Sequence, residues 1–269
     1  MAWHLARLKL ALMRGGLRRG GRGATVALSI TLVAAVLVSG TLSLALMSMR
    51  AIFVRDACDI AATVFAFLAV GWALGPLLAL ASDSTIDIDR LSSFPLTARQ
   101  LMPGLLLAAV IGVGGVFSVI VLVGAFIGMS GSGAPALVAL AAVVLELVLC
   151  LALSRWVSTA LSVAAGKRRW RDVALFVGPV LALGINLAVQ TANRTVFTND
   201  PRTHQLHTHA HALSVARTVV RWLPTGWSTV AVHAARTGNY AVAALGLTAT
   251  ALVTFGFVAL WWRAMQRAT

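Results

Sequence analysis

Charge is scarce in this 269-residue chain, and acidic charge scarcest of all. Asp, Glu, Lys and Arg make up 11% of the residues, and only 8 of these are Asp or Glu. A soluble domain carries about 25% charged residues. There are two cysteines, Cys58 and Cys150. The first flanks one apolar run and the second lies deep inside another, so no disulfide framework and no Cys-x-x-Cys site is expected. The chain has no Gly-x-x-x-x-Gly-Lys-Ser/Thr and no His-Glu-x-x-His, which excludes a P-loop and that zinc-protease motif. What is abundant is apolar: 59% of residues, with a mean hydropathy of +0.89. Excess apolar content with little charge predicts an integral membrane protein. The formal charge of +14 comes without any nucleic-acid-binding motif, so no nucleic-acid partner is expected.

Six apolar stretches approach the length needed to cross a membrane, about 20 helical residues. They cover 24–49, 60–82, 101–130, 134–154, 173–189 and 240–262. Their apolar residues lie on all sides, as expected for helices in lipid or in a bundle. The fold class is therefore an all-α integral membrane protein with six transmembrane helices. Residues 1–23 precede them. Leu5, Leu8 and Leu12 share one helical face, with Trp3 nearby and cations elsewhere. That pattern predicts a basic amphipathic helix lying on membrane lipid at the cytoplasmic side.

Most of the Lys and Arg residues fall before the first run, between the fourth and fifth, and in the tail at 263–269. The positive-inside rule then makes both termini cytoplasmic. Loop 83–100 is also cytoplasmic, and link 190–239 is outside. The outer link holds Trp222, Pro224, Gly226 and Trp227. These predict a turn with two interfacial aromatics, and short helices dipping into the outer leaflet.

Several enzyme and metal patterns have weaker support. Gly128 to Gly131 reads Gly-Met-Ser-Gly, similar to rhomboid proteases, but no crossing supplies the histidine base that a serine nucleophile needs. His204, His207, His209 and His211 sit close together; a His-rich polar loop accounts for them, and a weak metal or pH-sensitive role is the alternative. No structural metal site is expected. Glu146 is the acidic residue placed well inside a crossing. A carboxyl there is costly. It reads either as a hydrogen-bonded packing residue, with Asn186 as a partner, or as part of a substrate pathway.

Loop 83–100 carries Asp83, Asp87 and Asp89, then Ile88, Leu91, Phe94 and Leu96. The carboxylates could hold Mg or cap a short helix. Pro95 ends or kinks that helix. The apolar residues ask for a protein that covers them, which favours docking over chemistry.

The stretch Phe94-Pro95-Leu96-Thr97-Ala98-Arg99-Gln100-Leu101, behind its aspartates, resembles the loop between the second and third crossings of ABC-2-type transporter permeases. The basic first segment, the six runs, the basic link after the fourth and the outer Pro224-Thr225-Gly226-Trp227 are similar to that family as well. Asp87-Ile88 departs from the Asp-Pro of many relatives, and many relatives have twelve crossings. The resemblance implies a coupling helix, with Asp89, Arg90, Leu91, Phe94, Pro95, Leu96 and Arg99 contacting a separate ATPase subunit that holds ATP and Mg. It implies that this chain is no enzyme itself, that it pairs with a second six-helix unit, and that the outer link closes the path. The expected role is export of a hydrophobic or amphipathic compound, such as a drug, antibiotic or lipid, across a bacterial plasma membrane. A six-helix scaffold without transport and a secondary transporter remain as alternatives; the latter is weakened by the lack of a visible inverted repeat.

Overall fold

Long apolar sequences with few breakers form long helices, and five of them pack together among the described residues. A computed structural model describes residues 21–51, 54–80, 106, 109–110, 112–165, 197–199, 206–208 and 218–268. Helix α1 spans Gly21–Ser48 and passes through a short 3-10 turn, Met49–Ala51, before α2, Val54–Leu80. Helix α3 is Val113–Met129 and α4 is Ala134–Ala165. An antiparallel pair, β1 (Phe197–Asn199) and β2 (Leu206–Thr208), lies in the link between α4 and the last helices. Helix α5 is Pro224–Arg236 and α6 is Tyr240–Ala268.

Four of these helices are long and apolar enough to cross a membrane: Ser29–Ser48, Val54–Pro76, Ala134–Ala160 and Tyr240–Gln266. The shorter apolar helix Val113–Met129 packs among them. The protein is membrane-embedded and multi-pass. The expected interfacial segment before residue 21, the loop 83–100 and the run 173–189 lie outside the described residues.

Helix bounds differ from the sequence expectation where polar residues were read as loop. Helix α2 begins at Val54, so Arg55, Asp56 and Asp59 belong to its first turns rather than to a linker. Asp56 suits that place, because a carboxylate near a helix N-terminus faces unpaired N–H groups and the positive end of the dipole. Helix α4 continues past 154 to Ala165, and α6 past 262 to Ala268. Backbone hydrogen bonds extend a helix as readily through Arg155 or Arg263 as through Leu. The run 101–130 is interrupted. Gly112 is extended, with φ −79° and ψ 167°, and α3 starts only after it. A side chain at Gly115 would strike the Val110 carbonyl, so the chain folds tightly at that break.

The core lies between α2, α3, α4 and α5. Phe65, Leu68, Val121, Leu122, Met129, Ala139, Ala142, Cys150 and Val232 are buried there. Lipid tails are as apolar as these side chains, so close packing and hydrogen bonds hold the helices together. Two features show this. Trp72 Nε1 donates to Ser118 Oγ at 2.8 Å, joining α2 to α3. Gly124 and Gly128, one turn apart on α3, sit against Ser43 and Leu46 of α1, where any Cβ would collide with backbone atoms. The correspondence runs in the same direction along both helices, so α1 and α3 are parallel. By contrast α1 and α6 turn broad apolar faces outward; Ile30, Leu44, Leu245 and Leu252 are all exposed.

Candidate functional site

Helix α5 is the element that the spanning pattern does not explain. It has 13 residues, against about 20 for a crossing, and packs across α2, α4 and α6. Residues 218–222 are helical too, and the chain turns at Leu223. Leu223 N donates to Val220 O at 3.2 Å, and Gly226 N donates to Leu223 O at 2.9 Å. Pro224 takes the first helical position, where its missing N–H costs nothing. The result is a hairpin-like unit: the short helical segment 218–222, an elbow at Leu223, then α5.

Each residue expected at the outer gate has a definite place in this hairpin. Trp222 is 78% exposed at the elbow. Pro224 opens α5. Gly226 touches the Val220 carbonyl so closely that a Cβ would overlap it. Trp227 is half-buried, and its carbonyl faces Gly246 of α6. The sequence reading placed a turn here. The turn is at Leu223, and Pro224 to Trp227 already belong to a helix, because Pro is favourable at N1 and the free N–H groups of the first turn need no partner from it.

Two arginines fix the hairpin. Arg221 meets Asp59 of α2 as a fork: Nε donates to Oδ1 at 2.8 Å and Nη2 to Oδ2 at 2.9 Å. Asp59 is buried, and the Arg221 side chain is 33% exposed. Bidentate, charge-assisted geometry makes such pairs directional as well as attractive. At the other end, Arg236 Nη1 donates to the Met129 carbonyl at 3.1 Å, capping the C-terminal end of α3. Its side chain also passes over the turn between α3 and α4, beside Gly131.

His233 sits between these arginines. Its Nδ1 is buried without a hydrogen-bond partner among the described residues. Burial holds its pKa below the ordinary 6.5, and Arg221, Arg55 and Arg236 push the same way while Asp59 opposes them. The neutral imidazole is thus favoured. Sequence reasoning missed this cluster. The signals were present: two acids in the first turns of an apolar helix, and arginines at both ends of an amphipathic one.

Glu146 lies in α4 and is fully buried. Cys150, one turn on, donates its S–H to Oε1 at 3.7 Å. Oε2 has no partner among the described residues. The expected partner Asn186 lies outside them, and so do the coupling residues Asp89, Arg90, Leu91, Phe94, Pro95, Leu96 and Arg99. His204, His209 and His211 also fall outside, while His207 is on β2 opposite Thr198. Cys58 and Cys150 are both buried free thiols.

Comparison of the chain with protein-family models, with curated proteins and with solved structures found no match.

Proposed function

We propose that this chain is the membrane-spanning permease subunit of an ATP-driven exporter, of ABC-2 type. It would have six crossings, cytoplasmic termini and a place in a bacterial plasma membrane. A separate ATPase would bind ATP and Mg, and a second six-helix unit would complete the path. The cargo would be hydrophobic or amphipathic, because the spanning helices present mainly apolar walls.

The observation that carries the reading is the α5 hairpin. A short amphipathic element, inserted among spanning helices at one end of the bundle and pinned by Asp59–Arg221 and Arg236–Met129, suits a closure that opens and shuts. Alternating access requires such an element on the side opposite the motor. The other support is in the sequence: the Phe94–Leu101 core beside Asp89, Arg90 and Leu91, and the absence of a P-loop from the chain.

Co-purification tests this. An ATPase subunit encoded beside the chain is expected to remain bound in mild detergent. Leu91→Asp with Phe94→Asp is expected to release it and abolish export while the bundle stays folded. Retained export in that double variant would refute the coupling role.

A further inference from the structure

Glu146 shares its level in the bundle with a set of buried hydroxyls. Val138 of α4 packs against Ala234 and Ala235 of α5 and Ala243 of α6. Helices α4 and α6 run from this end, and α5 runs toward it, since Arg236 reaches Met129 and Gly246 of α6 faces Trp227 and Ala231. Two turns from Val138, about 12 Å at about 1.5 Å per residue, α4 reaches Glu146. The same distance along α5 reaches Gly226 and Trp227, between Thr225 and Ser228. Along α6 it reaches Ala251, next to Thr250. Glu146, Ser228 and Thr250 all have zero exposure, and Thr225, Thr229 and Thr254 are buried with them. Ala142 and Cys150, one turn either side of Glu146, belong with Val232 of α5 to the buried core, so the carboxyl's stripe of α4 is turned into the bundle, where α4 packs against α5 and α6.

The hydroxyls are oriented. Ser228 donates to Thr225 O, Thr229 to Gly226 O, Thr250 to Gly246 O and Thr254 to Thr250 O, at 2.8–2.9 Å. Their protons are committed to their own helices, so toward the bundle they offer lone pairs. Thr225 Oγ1 has no partner among the described residues, and neither does Glu146 Oε2. Among the described residues the level is therefore rich in acceptors and poor in donors. A buried polar atom without a partner is costly, and in native structures a water or an ion is the usual explanation. Hard oxygen donors suit a hard cation. One carboxylate balances one positive charge, whereas a divalent ion would leave net charge in a low-dielectric interior.

We propose that this level is a binding site for a monovalent alkali cation of sodium character, with Glu146 Oε2 as its charged ligand and Ser228, Thr250 and Thr225 supplying neutral oxygens. Because α5 contributes oxygens on one side, the ion ties the hairpin to α4 and α6, and moving the hairpin dismantles the site. The inference does not rest on the export reading.

The test uses the purified full chain in detergent without cargo or ATPase. Its unfolding midpoint is followed as sodium chloride replaces choline chloride at constant ionic strength and pH. A saturable rise with sodium is expected, as for any ligand bound by the folded state alone. Glu146→Gln is expected to lose the sodium response, and Ser228→Ala to shift half-saturation upward by roughly tenfold, the equivalent of about 1.4 kcal/mol. Binding of radioactive sodium to the wild type and to Ser228→Ala gives the same comparison without unfolding. Equal midpoints in sodium and choline, or an unchanged response in Glu146→Gln, would overturn the site. So would a midpoint that ignores sodium while its pH dependence differs between the wild type and Glu146→Gln, since the carboxyl would then hold a proton instead.

Discussion

Gly226 shows how much one position can decide. Its missing side chain lets the elbow close on the Val220 carbonyl and the Arg221 backbone. The obstacle is backbone on both sides, which cannot rotate away as a flexible side chain would. Gly226→Val must therefore open the elbow or tilt α5, and α5 buries Thr225, Ser228, Thr229, Ala231 and Val232. Overpacking at a closed site costs about 1–3 kcal/mol or more. A lower thermal midpoint for Gly226→Val in detergent is expected, together with a larger loss than for Gly133→Val. Gly133 has a φ of 70° but open space around it, so that change carries backbone strain without a clash. Similar effects for the two would show that the close approach at the elbow does not matter.

At the scale of the element, α5 is stabilised by a fork that is only partly shielded from solvent. Removing one partner of a buried pair leaves the other uncompensated, at a cost of about 3–5 kcal/mol, and the exposure of Arg221 places this pair at the lower end or below. Arg221→Ala is expected to loosen the hairpin. A cysteine introduced at Ala231, which has zero exposure, should then become reactive toward a maleimide in a background without Cys58 and Cys150. Exchanging the charges, with Asp59→Arg and Arg221→Asp, should restore part of the protection. Continued protection in Arg221→Ala would mean that packing alone holds the hairpin.

His233 adds a pH dependence to the same element. Its folded-state pKa lies below the unfolded value near 6.5, first through burial and then through the neighbouring arginines. Below pH 6.5 the unfolded chain takes up a proton before the folded one does. Stability contributed by the neutral imidazole is therefore fully present above about pH 6.5 and is lost as the pH falls toward the folded value. The unfolding midpoint should drop in that window for the wild type. His233→Gln, uncharged throughout, should drop less; an identical acid limb would place the dependence on another group.

The whole molecule was legible in the sequence as far as hydropathy reaches. Long apolar runs at 24–49, 60–82, 134–154 and 240–262 correspond to helices, because lipid leaves a chain few other ways to satisfy its backbone. What hydropathy could not give was contact between distant positions. The acids at the start of α2 and the arginines flanking α5 are each visible in the sequence, but nothing in it pairs Asp59, just outside the run 60–82, with Arg221. Glu146 was legible as an anomaly by its depth, yet the buried hydroxyls of α5 and α6 come to lie with it in one bundle only through packing that hydropathy does not report. The break at Gly112 was missed since glycines are tolerated in membrane helices and the run reads as continuous.

Orientation is the remaining property of the whole, and the structure sharpens the argument for it. Arginines occur at both ends of the bundle, so a bare count leaves part of the positive charge on the wrong side. Arg221 and Arg236 are held by Asp59 and by the Met129 carbonyl. Charge fixed in such contacts is compensated locally and opposes translocation less than a free basic segment does. The segment before residue 21 is rich in Lys and Arg by sequence, and Arg263 near the end of α6 is exposed; these should set the inner side. With the native cysteines replaced, Thr237→Cys lies at the exposed turn between α5 and α6, and Gln266→Cys at the opposite end of α6. An impermeant maleimide added to intact cells is expected to label Thr237→Cys at once and Gln266→Cys only after the membrane is opened. The reverse pattern would invert the molecule, placing the hairpin on the cytoplasmic side and removing it as an outer closure. Labelling at both positions in intact cells would mean that α6 does not cross.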